Sequence, residues 1–300
     1  MSVTVDVAFV TQFDAIVNHL AQTADSVLRG TVRTKSVTGK SFNAERLGPV
    51  EMVAVTNRHQ ATPIVNPEHT RRRGYMADFS AGILLDEEDE IKMLINPKSD
   101  YAMTLAMARN RRFDNTVIAA FAANATSVAA NDTETSTANL VSFTGAHGDT
   151  ANHTIANGST GLTIAKVRQV KRLLDLQEVP ESGRHFLTSA YGMEDLLADP
   201  QLTSSDFNTL RAMESGTINN RFWMGFTWHF SNLMAIASNI QANYAWHESA
   251  IVVGEGSLRS LDISTRNDLN NATQVLAKMS LGAVRVEETK VVACDIDTTA

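Results

Sequence analysis

Apolar side chains near the start of the chain recur at helical spacing: Phe9, Phe13, Val17 and Leu20 fall on one face, with Thr11, Gln12, Asp14 and Asn18 elsewhere. The spacing predicts a short amphipathic arm. Residues 29–40, which follow, are rich in Thr, Lys, Arg and Gly and hold few large apolar groups, so the arm has no sequence neighbour on which to close a core. Its partner comes from far along the chain or from another copy. Between residues 38 and 74, Gly39, Gly48-Pro49, Pro63 and Pro67 punctuate two short runs of strand character, which predicts a long hairpin with its first limb over 50–56. Roughly 35 residues of hairpin too polar to bury themselves are unusual inside a compact domain. Such an element reaches out to bind something, or is disordered.

Farther on, Asp86 is placed as the N-cap of a helix over 86–95, with Glu87, Glu88 and Asp89 in the first turn, Lys92 toward the end and Pro97 beyond it. Ser99 or Asp100 then caps a longer helix running to about residue 123, with Tyr101, Leu105, Ala108, Phe113, Val117 and Phe121 as its apolar stripe. Residues 124–161 are mostly Ala, Asn, Thr, Ser and Gly, a composition that marks a loop and a domain boundary. Thr163 caps the next helix, whose face is Ile164, Val167, Val170 and Leu174 and which ends near Val179-Pro180 and Gly183. A strand over 185–188, helices over 191–197 and 205–213, and strands over 222–230 and 251–253 complete a mixed second half. The closing run, 273–293, alternates through Val275, Ala277, Met279 and Leu281, admits a bulge at Gly282, and resumes as Val291-Val292 after the charged pair Glu287-Glu288. Tyr75, Ala77 and Phe79 alternate in the same way, making an early strand the candidate partner of this late one.

Composition narrows the function classes. With 43% hydrophobic and 20% charged residues, a formal net charge of -7 and a pI near 5.6, the chain has a core and no dominant basic face of the kind that neutralises phosphates. Cys294 is the only cysteine, so an intrachain disulfide and a multi-cysteine zinc site are excluded. The start, MSVTVDVAFV, lacks the basic stretch of a secretion signal, and the most apolar run, 116–130, is shorter than the roughly 18 residues a spanning helix needs. No membrane partner is expected.

Candidate chemistry is sparse. The acidic run 86–90 reads first as a helix start with a solvated face, and second as an intersubunit clamp for Arg71, Arg72 and Arg73. His147, His153 and His247 lack the spacing of metal ligands. Gly158-Ser159-Thr160-Gly161 lacks the Gly-Lys-Ser/Thr ending of a phosphate loop and reads as a turn into a helix. No Gly-x-Ser-x-Gly elbow raises a serine to a nucleophile. Trp223, Trp228 and Trp246 with their neighbouring phenylalanines are read as core. No catalytic residue, cofactor or metal is expected.

The order of elements resembles that of tailed-bacteriophage major capsid proteins of the Hong Kong 97 fold, and several stretches are similar to a podovirus-type capsid family. These are Thr38-Gly39-Lys40-Ser41 with Arg46-Leu47-Gly48-Pro49, then Thr70-Arg71-Arg72-Arg73, and Gly158-Ser159-Thr160-Gly161-Leu162-Thr163. Phe222-Trp223-Met224-Gly225-Phe226 and Gly282-Ala283-Val284-Arg285 with Lys290-Val291-Val292 complete the set. The resemblance implies an α+β chain divided into an N-terminal arm (1–37), an extended loop (38–74), a peripheral domain with a spine helix (75–135 and 265–300) and an axial domain (136–264). It implies self-assembly into pentamers and hexamers of an icosahedral shell around double-stranded DNA, held without sequence-specific contacts. Scaffold and portal proteins, with a decoration protein as an optional addition, are the implied partners, with assembly in the host cytoplasm and residence in the virion. Phe9, Phe13, Val17, Arg46, Arg71, Arg72, Arg73, Asp86, Glu87, Glu88 and Asp89 become the candidate subunit-interface residues. Lys40 lies near the start of the loop that carries a cross-linking lysine in some members, and is read here as solvated. An encapsulin-like compartment subunit, sharing the fold but holding a cargo enzyme, is the alternative.

Overall fold

The computed structural model describes residues 25–58, 60–86, 98–128, 140–141, 143, 153–199, 221–256 and 261–299. The amphipathic arm, most of the acidic helix and the helix expected at 205–213 lie outside them. The chain divides into two compact units, Met1–Asp25 with Phe79–Arg111 and Leu258–Met279, and Ser26–Asp78 with Arg112–Ser257 and Ser280–Ala300. These limits differ from a boundary inside 124–161.

The larger unit is built on a seven-stranded sheet in the order β7 (Thr154–Ile155), β16 (Val291–Asp297), β12 (Ile240–His247), β8 (Arg184–Thr188), β10 (Phe226–Phe230) and β9 (Phe222–Trp223), with β11 (Ile236–Ala237) paired to β12. Side chains alternate across it, as the two-residue period of a strand requires. Phe186, Phe226, Trp228, Ala245, Val292, Cys294 and Ile296 form one core with Val167, Val170 and Leu174 of α2 (Ile164–Leu176) and Leu196 of α3 (Ala190–Ala198). On the other face Phe121 stacks on Tyr244 at 4.9 Å and lies 4.8 Å from Trp246. Phe121 belongs to α1 (Lys98–Ala122), the helix the stripe predicts, and Phe113, Val117 and Phe121 are all fully buried.

Local sequence explains the breaks. Thr163 caps α2 by accepting from the Lys166 N–H, as its position before the stripe predicts. The strand expected over 222–230 is instead a tight hairpin, because Met224 and Gly225 both take positive φ, the geometry a two-residue turn demands. Gly282 makes no bulge; it pairs with Gly254, and a Cβ there would overlap the Tyr75 carbonyl. β5 (Ala125–Val128), within the stretch expected to be a loop, pairs with β3 (His69–Tyr75). The late strand β15 (Ala272–Arg285) does pair with an early one, β4 (Ala77–Leu85).

In the smaller unit β14 (Leu261–Arg266) runs antiparallel to the first part of β15, from Leu261↔Ala277 to Arg266↔Ala272. Tyr101, Ala102 and Leu105 of α1 pack with Ile83, Val275 and Ala277 into its core. In the larger unit β1 (Arg33–Val37) lies parallel to β13 (Ile251–Gly256), which pairs in turn with the second part of β15.

Candidate assembly surface and the root of the extended loop

The hairpin is real, but its paired limbs are not the ones the β-branched residues suggest. β2 (Ser41–Leu47) and β3 pair antiparallel from Ser41↔Tyr75 to Leu47↔His69, and the ladder closes on Gly48 N–H donating to the Glu68 carbonyl at 2.8 Å. Residues 50–56, expected to be the first limb, form no strand. They have no partner strand in the described chain, and β propensity without a pleated surface to fit is a weak preference. Every described residue from 49 to 66 is exposed, including Met52 at 100%, Ile64 at 87% and Val55 at 70% of full accessibility. Exposed apolar side chains also occur singly elsewhere, as at Leu176 and Phe222, but here they follow one another along a single segment.

What holds the root of this loop is a buried ionic knot. Glu288, in the 3-10 turn between β15 and β16, accepts two hydrogen bonds from Arg72 Nη2 at 3.0 and 3.2 Å. Its carboxylate also lies 3.6 Å from Arg46 and 4.0 Å from Arg285. Arg285 Nη1 donates to the carbonyls of Phe121 at 2.6 Å and Ala123 at 2.8 Å, satisfying acceptors that the end of α1 leaves open. Its guanidinium sits 4.9 Å over the Phe143 ring. Burial lowers the proton affinity of Arg72 and Arg285, and the Glu288 charge opposes that shift in both. Beside the knot a cleft of about 510 Å³ opens between the loop root and the turn, lined by Arg33, Arg46, Glu68, Glu287 and Lys290 among others.

The candidate interface residues separate accordingly. Arg71 pairs with Glu45 across the hairpin at 2.9 Å and stays exposed; Arg73 donates to Asn43 Oδ1 at 3.3 Å. Arg46 is half-buried at the rim of the cleft. Arg72 departs from the intersubunit clamp expected of it, because it is 5% exposed and its partner, Glu288, comes from its own chain. Asp86 is exposed; Phe9, Phe13, Val17, Glu87, Glu88 and Asp89 lie outside the described residues. Sequence reasoning missed Glu288 and Arg285 because it took Glu287-Glu288 as a charged interruption of a strand. Neither residue type nor spacing distinguishes a glutamate whose partner lies 216 positions away.

The chain following the expected arm is tied down as well. Asp114 of α1 accepts from Ser26 Oγ, Val27 N–H and Leu28 N–H at 2.5, 3.0 and 3.2 Å, and Trp246 Nε1 donates to the Thr31 carbonyl at 3.0 Å. Behind Trp246 sits a histidine pair, His185 Nδ1 and His229 Nε2 at 3.0 Å. Burial, then the neighbouring His185, pushes His229 down to about 4; burial and His247 also lower His185, against the pull of Glu248. An unfolded histidine near 6.5 therefore binds a proton more readily than the folded one between those values, so stability falls as pH drops from 6.5 to about 4. His229 alone accounts for about 3 kcal/mol of that fall. Denaturant titrations at pH 7 and pH 4.5 should show a loss that His229→Gln makes clearly smaller; an equal loss in the variant rejects this assignment.

Among the described residues no three His, Cys, Asp or Glu side chains gather as metal ligands, and no helix is long and apolar enough to cross a membrane. Cys294 is buried behind α2, with its thiol pushed up to about 12 by burial. An apolar segment left in water, standing on a root held by a buried ionic knot, is an element that the described part of its own chain does not bury.

Comparison with known proteins gives the chain its family. The model of the phage capsid protein family matches residues 5–298, and the chain belongs to that family. A search of curated proteins finds no match. Among solved structures, one of Mycobacterium phage Che8 is similar at 17% identity and TM-score 0.66, over 97% of this chain and 98% of that one. The capsid of Ralstonia phage GP4 is similar at 11% identity and TM-score 0.71, over 98% and 97%. A capsid of a native GTA particle is similar at 11% identity and TM-score 0.68, over 97% and 96%. At these identities the likeness is one of fold, the Hong Kong 97 type of tailed-phage capsids. The function is that of a major capsid protein, structural by family, and the match to phage capsids disfavours the encapsulin-like alternative.

Proposed function

We propose that this capsid protein builds an icosahedral shell around packaged double-stranded DNA, with each extended loop laid over a neighbouring subunit. The observation that carries the reading is the loop between Gly48 and Glu68, which has exposed apolar side chains along its length and no core of its own. Covering it on a neighbour removes apolar area from water in head-to-tail contacts that close into rings, and many modest contacts add through multivalency. In this scheme residues 1–37 are the arm, 38–74 the loop, 75–135 and 265–300 the peripheral domain, and 136–264 the axial domain. Phe9, Phe13 and Val17, the exposed Arg71, and Arg46, Arg73 and the acidic residues 86–89 serve as contacts between subunits. Arg72 acts from within, by fixing the loop root.

A separately encoded scaffold and a portal protein assist assembly in the host cytoplasm, the shell takes up DNA through non-specific contacts, and a decoration protein is an optional addition. The net charge of -7 supports weak contact with phosphates. Electron microscopy of the protein expressed alone and with its scaffold should show shells or ring-shaped capsomers. A strictly monomeric protein under both conditions overturns the proposal.

A further inference from the structure

We propose that Asn157 is a site of spontaneous covalent modification, its side-chain amide converting to an acid through a cyclic imide formed with the Gly158 backbone nitrogen, and that Lys166 promotes the ring closure. Asn157-Gly158 is the only Asn-Gly pair in the sequence. Glycine leaves the attacking nitrogen unshielded, and around Gly158 the space a Cβ would occupy is open, with nothing within 4 Å. Gly158 and Ser159 take φ of 54° and 53°, and Thr160 N–H donates to the Asn157 carbonyl at 3.0 Å, which makes residues 157–160 a mirror-image tight turn. Among the described residues neither the Asn157 side chain nor the Gly158 N–H makes a hydrogen bond, so both reacting groups are free.

The unusual feature is the crowding on the Asn157 carbonyl oxygen. It accepts from Lys166 Nζ at 2.8 Å and Thr160 Oγ1 at 2.9 Å in addition to the Thr160 N–H. Lys166 is 7% exposed, and its ammonium is fixed by two further carbonyls, Thr160 at 2.8 Å and Asp295 at 3.0 Å. Ring closure needs the Gly158 nitrogen to lose its proton, and the negative charge that develops spreads onto the Asn157 oxygen of the same peptide group. Fixed donors aimed at the atom where charge develops lower the barrier to that step. With its proton taken by hydroxide, the Gly158 nitrogen attacks Asn157 Cγ; the N–Cγ bond forms, the Cγ–Nδ2 bond breaks, and the side-chain nitrogen takes a proton from water and departs as ammonia. Water then opens the imide at one of its two carbonyls, giving either aspartate or an iso-aspartyl link. No reactant besides water is needed, and no group changes oxidation state.

Both products place a negative charge beside Lys166, and the iso-aspartyl product lengthens the backbone inside a turn that Lys166 ties to β16. Because the donors exist only in the folded chain, folding should accelerate the reaction rather than protect against it. The full-length protein is incubated at pH 8, folded and in denaturant, and the peptide carrying Asn157 is followed by mass spectrometry after digestion in acid. Conversion several-fold faster in the folded chain is expected. Lys166→Met, which keeps the buried stem and removes the ammonium, should bring the folded rate to the unfolded one or below, and Thr160→Val, which removes one donor, should lower it by less. Folding of each variant is checked by circular dichroism. A folded wild-type rate below the unfolded rate overturns the proposal, and a rate unchanged in a folded Lys166→Met protein removes Lys166 from it.

Discussion

Replacing residues 50–66 by a short Gly-Ser turn is expected to leave the protein folded and unable to form stable shells. Folding survives because none of the described residues 49–66 is buried, and the ladder that fixes the hairpin closes outside the replaced segment, at Gly48 and Glu68. Assembly fails because the segment carries Val50, Met52, Val53, Val55, Ile64 and Val65 in water. Each such side chain contributes about 1.5–3 kcal/mol when fully covered, before the cost of ordering the loop is subtracted. Even a third of that sum, lost at every subunit contact, lowers association by several powers of ten. Sedimentation and electron microscopy read assembly, and circular dichroism reads folding. Shells at wild-type yield would show that the loop is ornamental.

Glu288→Gln should be the most damaging single conservative change in the larger unit. The variant keeps the volume and removes the one carboxylate shared by Arg72, Arg46 and Arg285, two of which are almost fully buried. Breaking a buried pair from one side costs about 3–5 kcal/mol, because a charge is left without its counterion. The loss should appear in the denaturant midpoint of the isolated chain. Arg71→Gln, which breaks an exposed pair on the same hairpin, should change it by at most about 1 kcal/mol. Similar effects from the two variants would mean that the knot does not stabilise the root.

Much of this architecture is legible in the sequence, and the reason is local. α1 and α2 advertise themselves through stripes at helical spacing, and Thr163 caps α2 with a side chain of the expected type. The pairing of a late strand with an early one was legible because both alternate over enough residues to need a buried face. The errors fall where the deciding partner is remote. Residues 50–56 have strand-like side chains and no strand, whereas β5, in a stretch of small polar residues, is a strand because the β3 edge accepts it at Arg71↔Val128 and Arg73↔Thr126. Arg72 and Arg71 are neighbours of one type in sequence, and pleat alone sends one inward to Glu288 and the other outward to Glu45. For residues 38–74 the residue patterns showed only the lack of a core; their reading as an extended loop came from the family resemblance and stands as a proposal.

The exposed apolar loop also limits how the free subunit can be stored. Side chains such as Met52 and Ile64 favour any apolar surface, not only the right one, so if they drive association as proposed they also set a ceiling on the concentration of unassembled protein. Because the described residues between Gly48 and Glu68 form no strand, they offer no ready-made strand edge on which copies could stack into fibres. On that reading the pool of free chains is self-draining: above its ceiling, protein should leave solution as shells when correct neighbours are present and as amorphous precipitate when they are not.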